Sequence, residues 1–176
     1  EDLSRGLGDV YKRQCQHLGG AVDATSAEKA GQFITICNEH NLPILSLADT
    51  PGFMVGIDSE REGAVRKMGS LFNSGANISV PLVAVFLRKG YGLGAMAMVG
   101  GSFYIPVLTV SWPTGEFGGM GLEGAVKLGY KKELEAVKDE SEREELFNKL
   151  VQKMYDSGKA LDCLLYTSPS PRDKSS

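Results

Sequence analysis

The sequence predicts an α/β fold with a mainly parallel sheet, and two observations carry this prediction. Short apolar runs of strand length, Pro43–Ala48 and Val80–Leu87, alternate with longer amphipathic segments that have helical spacing. Each of these runs ends in a loop that contains glycine. Strands that alternate with helices form right-handed βα units on a parallel sheet. A length of 176 residues with 42% hydrophobic content suits one domain with its own core.

Composition narrows the function classes. The net charge is −3 and no basic cluster is present, which argues against a nucleic-acid surface. No apolar run approaches the roughly 20 residues that span a bilayer, and the first residues lack a signal-peptide pattern. The three cysteines and two histidines have no metal-ligand spacing. We interpret Cys37 as a buried apolar residue and His17 and His40 as surface or cap residues. We therefore expect a cytoplasmic protein that binds no metal, nucleic acid or membrane.

The first helix is predicted from a capping box. Thr25 and Glu28 have the spacing of this motif, and Asn41 and Pro43 end the helical pattern. One helix face carries the apolar residues that we expect in the core: Ala27, Ala30, Phe33, Ile34 and Cys37.

A second helix is predicted over Ser59–Ala76 and a third strand over Phe103–Val110. Because Pro106 lacks the N–H that a central strand needs, we expect this strand at a sheet edge or with a bulge. The apolar face of the second helix is formed by Ala64, Met68, Leu71, Phe72 and Ala76.

The last third of the chain is predicted to be a loop followed by helices. Trp112–Gly121 is too rich in glycine for regular structure, and a short helix is expected over Leu122–Leu128. Lys131–Leu161 is a charged helical region, broken near Asp139–Ser141, that we interpret as an outer helix packed along one face. Its apolar stripe consists of Leu146, Leu150, Val151, Met154 and Tyr155.

The two ends share no pattern with the rest of the chain. The segments DVYKRQ at 9–14 and LLYTSPSPRD at 164–173 resemble peptides that arise when sequencing adapters are translated in metagenomic assemblies. We expect residues 1–14 and 163–176 to be non-native and residues 15–162 to form a partial domain. A natural disordered tail is the alternative.

The glycine-spaced turn Gly90–Gly94 connects the second apolar run to a helix of small and apolar residues. The first turn of a helix has N–H groups without a partner, and glycine lets a ligand oxygen approach them. Donors fixed in this way stabilise a developing oxyanion. A second loop with glycine, Asp49–Phe53, follows the other run, so we expect the two loops to converge at one sheet edge. Plain turn geometry is the alternative for either loop.

Four blocks of the sequence carry a resemblance to a known family. They are HLGGAVD at His17–Asp23, DTPGFMVG at Asp49–Gly56, RKGYGLGAMAM at Arg88–Met98 and SWPTGEFGGMGLEGAVKLGY at Ser111–Tyr130. In order and spacing they resemble the carboxyltransferase (β) subunits of biotin-dependent acyl-CoA carboxylases, such as propionyl-CoA carboxylase β chains. The resemblance covers Leu18–Leu161 and implies the second of that family's two crotonase-like halves. The family's first half has no counterpart in these residues.

The resemblance implies transfer of CO2 from carboxybiotin on a carrier protein to the α-carbon of an acyl-CoA. It implies that the backbone N–H groups of Gly94 and Ala95 hold the ureido oxygen of biotin, with Gly52 and Phe53 lining the same pocket. The ureido nitrogen can take the α-proton, so no side-chain base or metal is needed. The first half of a partner subunit would supply the acyl-CoA side, which implies a homo-oligomer with its site at the subunit interface. A biotin carboxyl carrier or biotin carboxylase subunit is the expected partner.

The turn departs from the family pattern. Many members have Tyr-Gly-Gly-Ala where this chain has Tyr-Gly-Leu-Gly-Ala, so Gly92 is an alternative donor to Gly94. Arg88 and Lys89 are candidates to steer a carboxylate or a CoA phosphate, with a solvated strand end as the alternative. Three further residues are candidates for the pocket wall or for ordinary core positions: Tyr91, Met96 and Met98.

Three other functions stay open. A stand-alone crotonase-type enoyl-CoA hydratase or isomerase would also use a glycine turn and would add glutamates as acid and base, for which Glu116 and Glu123 are candidates. A biotin-dependent acyl-CoA decarboxylase subunit would use the same half in reverse. A lone fragment without its partner half would be an inactive assembly module.

Overall fold

The computed structural model describes residues 17–161, and the sequence predictions for residues 1–14 and 163–176 lie outside this range. Within it, four parallel strands form one sheet, with β2 at its centre, β1 on one side and β3 and β4 on the other. The predicted α/β class with a parallel sheet is confirmed. The strands are β1 (Ile44–Thr50), β2 (Leu82–Tyr91), β3 (Leu108–Ser111) and β4 (Glu116–Gly118).

Seven α-helices lie in the described range, after a short 3-10 turn at His17–Gly20. None of them is long and apolar enough to cross a membrane. Cys37 is buried and His40 is an exposed C-cap residue, as interpreted from the sequence. The helices are α1 (Ala24–Glu39), α2 (Ile57–Arg61), α3 (Ala64–Ala76), α4 (Gly92–Met98), α5 (Leu122–Gly129), α6 (Lys131–Ala136) and α7 (Glu140–Ser157).

Asp23, not Thr25, caps helix α1. The Asp23 carboxylate accepts a hydrogen bond from the Ser26 N–H at 2.7 Å, and the Ser26 hydroxyl oxygen accepts one from the Asp23 N–H at 3.1 Å. The predicted Thr25–Glu28 box is therefore wrong by two positions, since aspartate is an equally good cap and lies earlier. Phe33 is 60% exposed and was wrongly placed in the core. The buried face of α1 consists of Ala24, Ala27, Gly31 and Cys37.

Two predicted elements are divided or shortened. The helix predicted over 59–76 consists of α2 and α3, which are separated at Gly63, where φ is 72°. The buried position at the end of α3 is Gly75, and Ala76 is exposed. The strand predicted over 103–110 is limited to β3, because Pro106 and its neighbours form turns and bends before it.

The charged C-terminal region forms an outer helix, as predicted. Helix α7 begins after Asp139, whose carboxylate accepts a hydrogen bond from the Glu142 N–H at 3.0 Å. It packs on α5, and its predicted apolar stripe is half-buried. Helix α5 itself lies where the sequence predicts a short helix.

A register shift between β1 and β2 changes the course of β2. The regular register ends at the pair Ala48–Phe86, and the next pair is Thr50–Gly90. Asp49 of β1 therefore stands opposite three residues of β2. An irregularity of this kind increases the local twist of a strand and re-aims the residues that follow.

Strand β2 continues beyond the predicted end at Leu87 and reaches Tyr91. Before the register shift it pairs with β3, and after it with β4. Strand β4 lies inside the segment 112–121 that was predicted to be irregular. Because β4 supplies a neighbouring strand, Arg88 and Lys89 do not end the strand. The glycine turn accordingly starts at Gly92, where α4 begins.

The two faces of the sheet have different surroundings. On one face Ala48, Ala84 and Phe86 are at most 1% exposed and pack with residues of α4. On the opposite face Leu45 is 62% exposed and Val110 is 41% exposed, so the first apolar run is buried on one face only. We call the second face the open face; its side chains form two rows across the strands, Leu45, Val83 and Leu108, and Leu47, Val85 and Val110.

Candidate functional site

The two predicted glycine loops meet at the end of β1 and β2. A Cβ atom placed on Gly94 would lie 2.7 Å from the carbonyl carbon of Gly52 and 3.0 Å from the Phe53 nitrogen. These separations are shorter than real Cβ contacts, so only glycine fits at position 94 without moving the backbone. The convergence of the two loops that the sequence predicts is therefore a direct backbone contact.

Side-chain and backbone hydrogen bonds hold the Asp49–Phe53 loop in place. The Thr50 hydroxyl oxygen accepts a hydrogen bond from the Gly52 N–H at 3.1 Å, and Gly52 has a φ of 122° that favours glycine. The Gly52 carbonyl accepts from the Val22 N–H at 3.0 Å, and the Val22 carbonyl accepts from the Met54 N–H at 2.8 Å. The segment before α1 thus supports the loop on its outer side.

A cavity of about 590 Å³ lies beside this contact. Both glycine loops border it, through Gly52 and Phe53 on one side and Gly92 and Leu93 on the other. Most of the remaining wall is apolar and comes from the segment after Phe53, from helix α3 and from the loop after β4, and includes Met54, Val55, Val65, Met68, Phe72 and Met120. A concave, mainly apolar site with a few backbone polar groups is typical of small-molecule binding.

Helix α4 presents its first turn to this cavity. Its first residues, Gly92, Leu93 and Gly94, have no acceptor for their N–H groups inside the helix, whereas the Ala95 N–H is the first that can bond back to Tyr91. Gly92 has a φ of 59°, and a Cβ there would lie 3.1 Å from the Gly119 carbonyl oxygen. Both conditions favour glycine at this position.

The predicted site residues divide into two groups. Gly52, Phe53 and Gly92 line the cavity together. Gly94 and Ala95 are buried directly behind that wall, and Met96 is half-buried in α4, outside the cavity lining. The role of Gly94 and Ala95 as hydrogen-bond donors stays a prediction.

Tyr91 faces a second cavity of about 490 Å³ on the other side of the turn. The Glu116 carboxylate lies near the Tyr91 hydroxyl, and both residues are buried. Burial raises the pKa of the Tyr91 hydroxyl above its usual range, and the negative charge of Glu116 raises it further. Lys89 and Glu123 also line this cavity. The candidate acid–base residues are therefore separated from the apolar cavity by the turn itself.

Sequence reasoning missed several residues that shape the site. Asp49 is buried behind the loops, Leu93 borders the cavity, and Gly119 contacts Gly92. Two sequence features could have indicated these residues. Asp49 is a lone acidic residue at the end of an apolar strand, and Gly119 lies in a glycine-rich loop for which no neighbour was predicted. Neither signal identifies its contact without the strand register.

Within residues 17–161, no group of three or more histidine, cysteine, aspartate or glutamate side chains is placed to hold a metal ion. The site is thus described by backbone groups, apolar side chains and the Tyr91–Glu116 pair.

Known proteins are similar to this chain in sequence and in fold. The propionyl-CoA carboxylase β chain of Saccharopolyspora erythraea is 33% identical over 147 residues, which are 84% of this chain and 27% of that protein. The methylmalonyl-CoA decarboxylase α subunit of Propionigenium modestum is 33% identical over 130 residues, 74% of this chain and 25% of that one. A solved structure, of a single-chain, multi-domain long-chain acyl-CoA carboxylase, is 56% identical, with a TM-score of 0.75 over 85% of this chain and 14% of that chain.

The chain spans about a quarter of the length of the curated relatives that it matches, with 27% and 25% in the two cases above. Its α/β sheet is part of the crotonase-like fold of carboxyltransferases. Residues 10–162 match the carboxyl transferase domain. With that match over most of its length, the chain belongs to the carboxyl transferase family of biotin-dependent acyl-CoA carboxylases.

Proposed function

We propose that this chain forms the biotin-side half of a carboxyltransferase, which moves CO2 from carboxybiotin on a carrier protein to the α-carbon of an acyl-CoA. Family membership supports the reaction class. The observation that carries the proposal is the backbone contact between Gly94 and Gly52 beside the apolar cavity. This contact joins the two loops whose amides the reaction would use.

The cavity fits a small bicyclic urea that has one polar edge. Phe53, Met68 and Phe72 offer an apolar wall, and the first turn of α4 offers N–H groups that lack an acceptor inside the helix. When bound, biotin supplies the carried CO2 and a ureido nitrogen that can accept the α-proton. The chain's own part is to hold the ureido oxygen through backbone N–H groups and to exclude water from it.

Fixed dipoles are effective in such a site because the surroundings are apolar. Electrostatic interactions strengthen as water is excluded, and loss of one oxyanion donor costs about 3–4 kcal/mol of barrier in enzymes where it has been measured. By resemblance the donors are Gly94 and Ala95. Gly92 is the alternative, and its position on the cavity wall, next to Leu93, supports it.

We propose a long-chain acyl-CoA as the substrate class. The long-chain acyl-CoA carboxylase is 56% identical to this chain, against 33% for the propionyl-CoA carboxylase β chain. A profile of carboxylation rate against acyl-chain length tests this choice, and a maximum at propionyl-CoA would contradict it.

The proposal includes partners. The acyl-CoA side of the site would come from the first half of a second subunit in a homo-oligomer, and a biotin carboxylase subunit with its carrier would deliver the CO2. The exposed apolar rim of the cavity and the open face of the sheet support contacts with further protein. A cytoplasmic location stays a prediction.

Mixing experiments test the proposed function. The chain alone should not transfer a carboxyl group, whereas the chain combined with the first half of a long-chain acyl-CoA carboxylase should move one from the carboxylated long-chain acyl-CoA to biotin methyl ester. Activity from the isolated chain would contradict a divided site. If the combined halves stay inactive, and biotin methyl ester leaves the NMR signals of residues 52–53 and 92–95 unchanged, the proposal fails.

A biotin-dependent acyl-CoA decarboxylase subunit is the second candidate. The decarboxylase α subunit of Propionigenium modestum is as similar to this chain as the propionyl-CoA carboxylase β chain is, with 33% identity in both cases. Both functions use the same half-site in opposite directions. Carboxylation that depends on a biotin carboxylase partner would favour the first, and decarboxylation without one would favour the second.

A further inference from the structure

The Asp49 carboxylate lies at the register shift between β1 and β2. Its side chain is 2% exposed. Oδ1 accepts a hydrogen bond from the Lys89 N–H at 3.1 Å and contacts the Arg88 Nε at 3.3 Å. The register shift interrupts the backbone hydrogen bonds between the two strands. The Lys89 N–H therefore has the side chain of Asp49, on the neighbouring strand, as its acceptor.

Other hydrogen bonds also replace the strand-to-strand backbone bonds that are missing at the register shift. The Thr114 hydroxyl donates a hydrogen bond to the Leu87 carbonyl at 3.1 Å, and the Trp112 N–H donates one to the Phe86 carbonyl at 2.9 Å. These bonds come from the loop between β3 and β4. The distorted part of β2 is therefore held from both sides, by Asp49 on the β1 side and by this loop on the other.

The length of the distortion decides where the glycine turn lies. Two extra residues in β2 advance its end relative to β1, so that Thr50 pairs with Gly90. Four residues later, Gly94 packs on Gly52, two residues after Thr50. A change in this offset would move Gly94 away from Gly52 and would alter the wall that both loops form.

A buried aspartate is energetically unfavourable if its only role is to accept one structural hydrogen bond. Burying a carboxylate is costly unless it is paired, and within residues 17–161 its Oδ2 atom is buried without a hydrogen-bond partner. Arg88, which is 37% exposed on its side chain, offsets part of this cost. A shorter or neutral apolar residue would avoid the cost but would leave the Lys89 N–H without its acceptor.

We propose that Asp49 is a positioning residue. Through the Lys89 N–H it fixes the offset between the two strands and so holds the turn Gly92–Gly94 against the Gly52 loop. This inference rests on the proposed function for the identity of the ligand that the two loops hold, and on the structure alone for the link between Asp49 and the turn.

Three variants of the full chain separate the roles of Asp49. Asp49→Asn keeps a side-chain oxygen that can accept the hydrogen bond from the Lys89 N–H. Asp49→Leu has a side chain of similar size without any acceptor. Arg88→Met removes the cationic partner of Asp49 but leaves the hydrogen bond from the Lys89 N–H to Asp49. Amide hydrogen exchange at Lys89–Tyr91 is the first readout, and exchange in α1 is the internal control. Should Asp49→Leu fail to fold, Asp49→Ser replaces it, because its short side chain does not reach the amide.

We expect exchange at Lys89–Tyr91 to become about tenfold faster in Asp49→Leu, with α1 unchanged, because a hydrogen bond to a charged group is lost. Asp49→Asn and Arg88→Met should stay within about threefold of the wild type. The proposal would be overturned if these amides exchanged as slowly in Asp49→Leu as in the wild type, or if all three variants accelerated their exchange equally.

Titration with biotin methyl ester is the second readout. The affinity should fall in Asp49→Leu and recover in Asp49→Asn, which a general loss of stability does not predict. If the wild-type chain shows no response to biotin methyl ester, the proposed function fails, while the exchange experiment still decides the role of Asp49.

Discussion

The two sides of the glycine turn differ in chemistry. On the side of Gly52 and Gly92 the wall is mainly backbone and apolar side chain, with Ser59 and the exposed Glu60 also in the lining, and on the side of Tyr91 it contains Lys89, Glu116 and Glu123. The first side is therefore rich in backbone dipoles, and the second is rich in charged side chains. The glutamates that a hydratase would need, Glu116 and Glu123, therefore lie outside the cavity in which we propose carboxyl transfer.

The separation keeps Glu116 and Glu123 out of the lining of the apolar cavity, although Glu60 is part of that lining. Glu116 is buried near the Tyr91 hydroxyl on the other side of the turn. Substitutions on each side of the turn should have different consequences, and the following variants are ordered by the size of the effect.

The largest effect is expected from Gly94→Val. A β-branched side chain would push directly on the Gly52 backbone, where a Cβ alone already lies at 2.7 Å. We expect a loss of at least about 3 kcal/mol in unfolding free energy, at the upper end of overpacking effects, because backbone cannot rotate away. Urea denaturation measures it. The control is Gly129→Ala, which has open space around it and should be neutral or slightly stabilising; equal effects of the two changes would contradict the backbone contact.

Gly92→Ala should have an intermediate effect. Its φ of 59° costs an L-residue about 1–2 kcal/mol, and the new methyl group would approach the Gly119 carbonyl oxygen. Because Gly92 lines the cavity, biotin methyl ester binding should weaken as well. If Gly92→Ala unfolds at the same urea concentration as the wild type and binds biotin methyl ester with the same affinity, the turn tolerates a side chain at this position.

Tyr91→Phe should change the alkaline stability of the chain. The pKa of Tyr91 is raised in the folded state, so above about pH 10 the unfolded chain loses the phenolic proton before the folded chain does. The Tyr91 contribution to stability is complete below that pH and is lost as the pH rises further. The wild type should thus lose up to about 1.4 kcal/mol per pH unit more than Tyr91→Phe. Parallel stability curves of the two proteins between pH 9 and 11 would contradict the buried, raised pKa.

The smallest effect on carboxyl transfer is expected from Glu116→Gln. Glutamine keeps the size of the side chain, and residue 116 lies outside the lining of the apolar cavity. Transfer by the combined halves should stay within about twofold of the wild type. The hydratase hypothesis predicts instead that hydration of an enoyl-CoA occurs and falls by about 10²–10⁴ in this variant.

The sequence was sufficient for the features that depend on local chemistry. Alternating runs predicted the parallel sheet, and glycines placed after two strands predicted the loops that meet at the site. It did not predict that β2 passes through Arg88 and Lys89, because that depends on β4 and on Asp49, which lie far away in the sequence. Phe33 was misplaced for a related reason: small residues of α1 allow close packing on α3, and this leaves the large ring outside.

The meeting of the two glycine loops was predicted from the sequence, whereas the residues that bind a ligand stay a prediction. Resemblance pointed to Gly94 and Ala95, whereas the structure puts Gly92 and Leu93 on the cavity wall. One extra residue in the turn rotates every later amide by about 100° around the helix axis. Residue spacing alone therefore cannot decide which N–H faces a ligand.

The open face has a consequence for how tolerance to substitution is judged. Leu45 and Leu108 are more than half exposed, so a screen that scores folding of this chain by itself would accept polar replacements there. The same replacements would be rejected in any assembly that covers these strands. A mutational map of the isolated chain would thus not detect the importance of side chains on the open face. If an assembly covers this face, the positions that tolerate substitution in the isolated chain but not in the assembly would identify the contact residues.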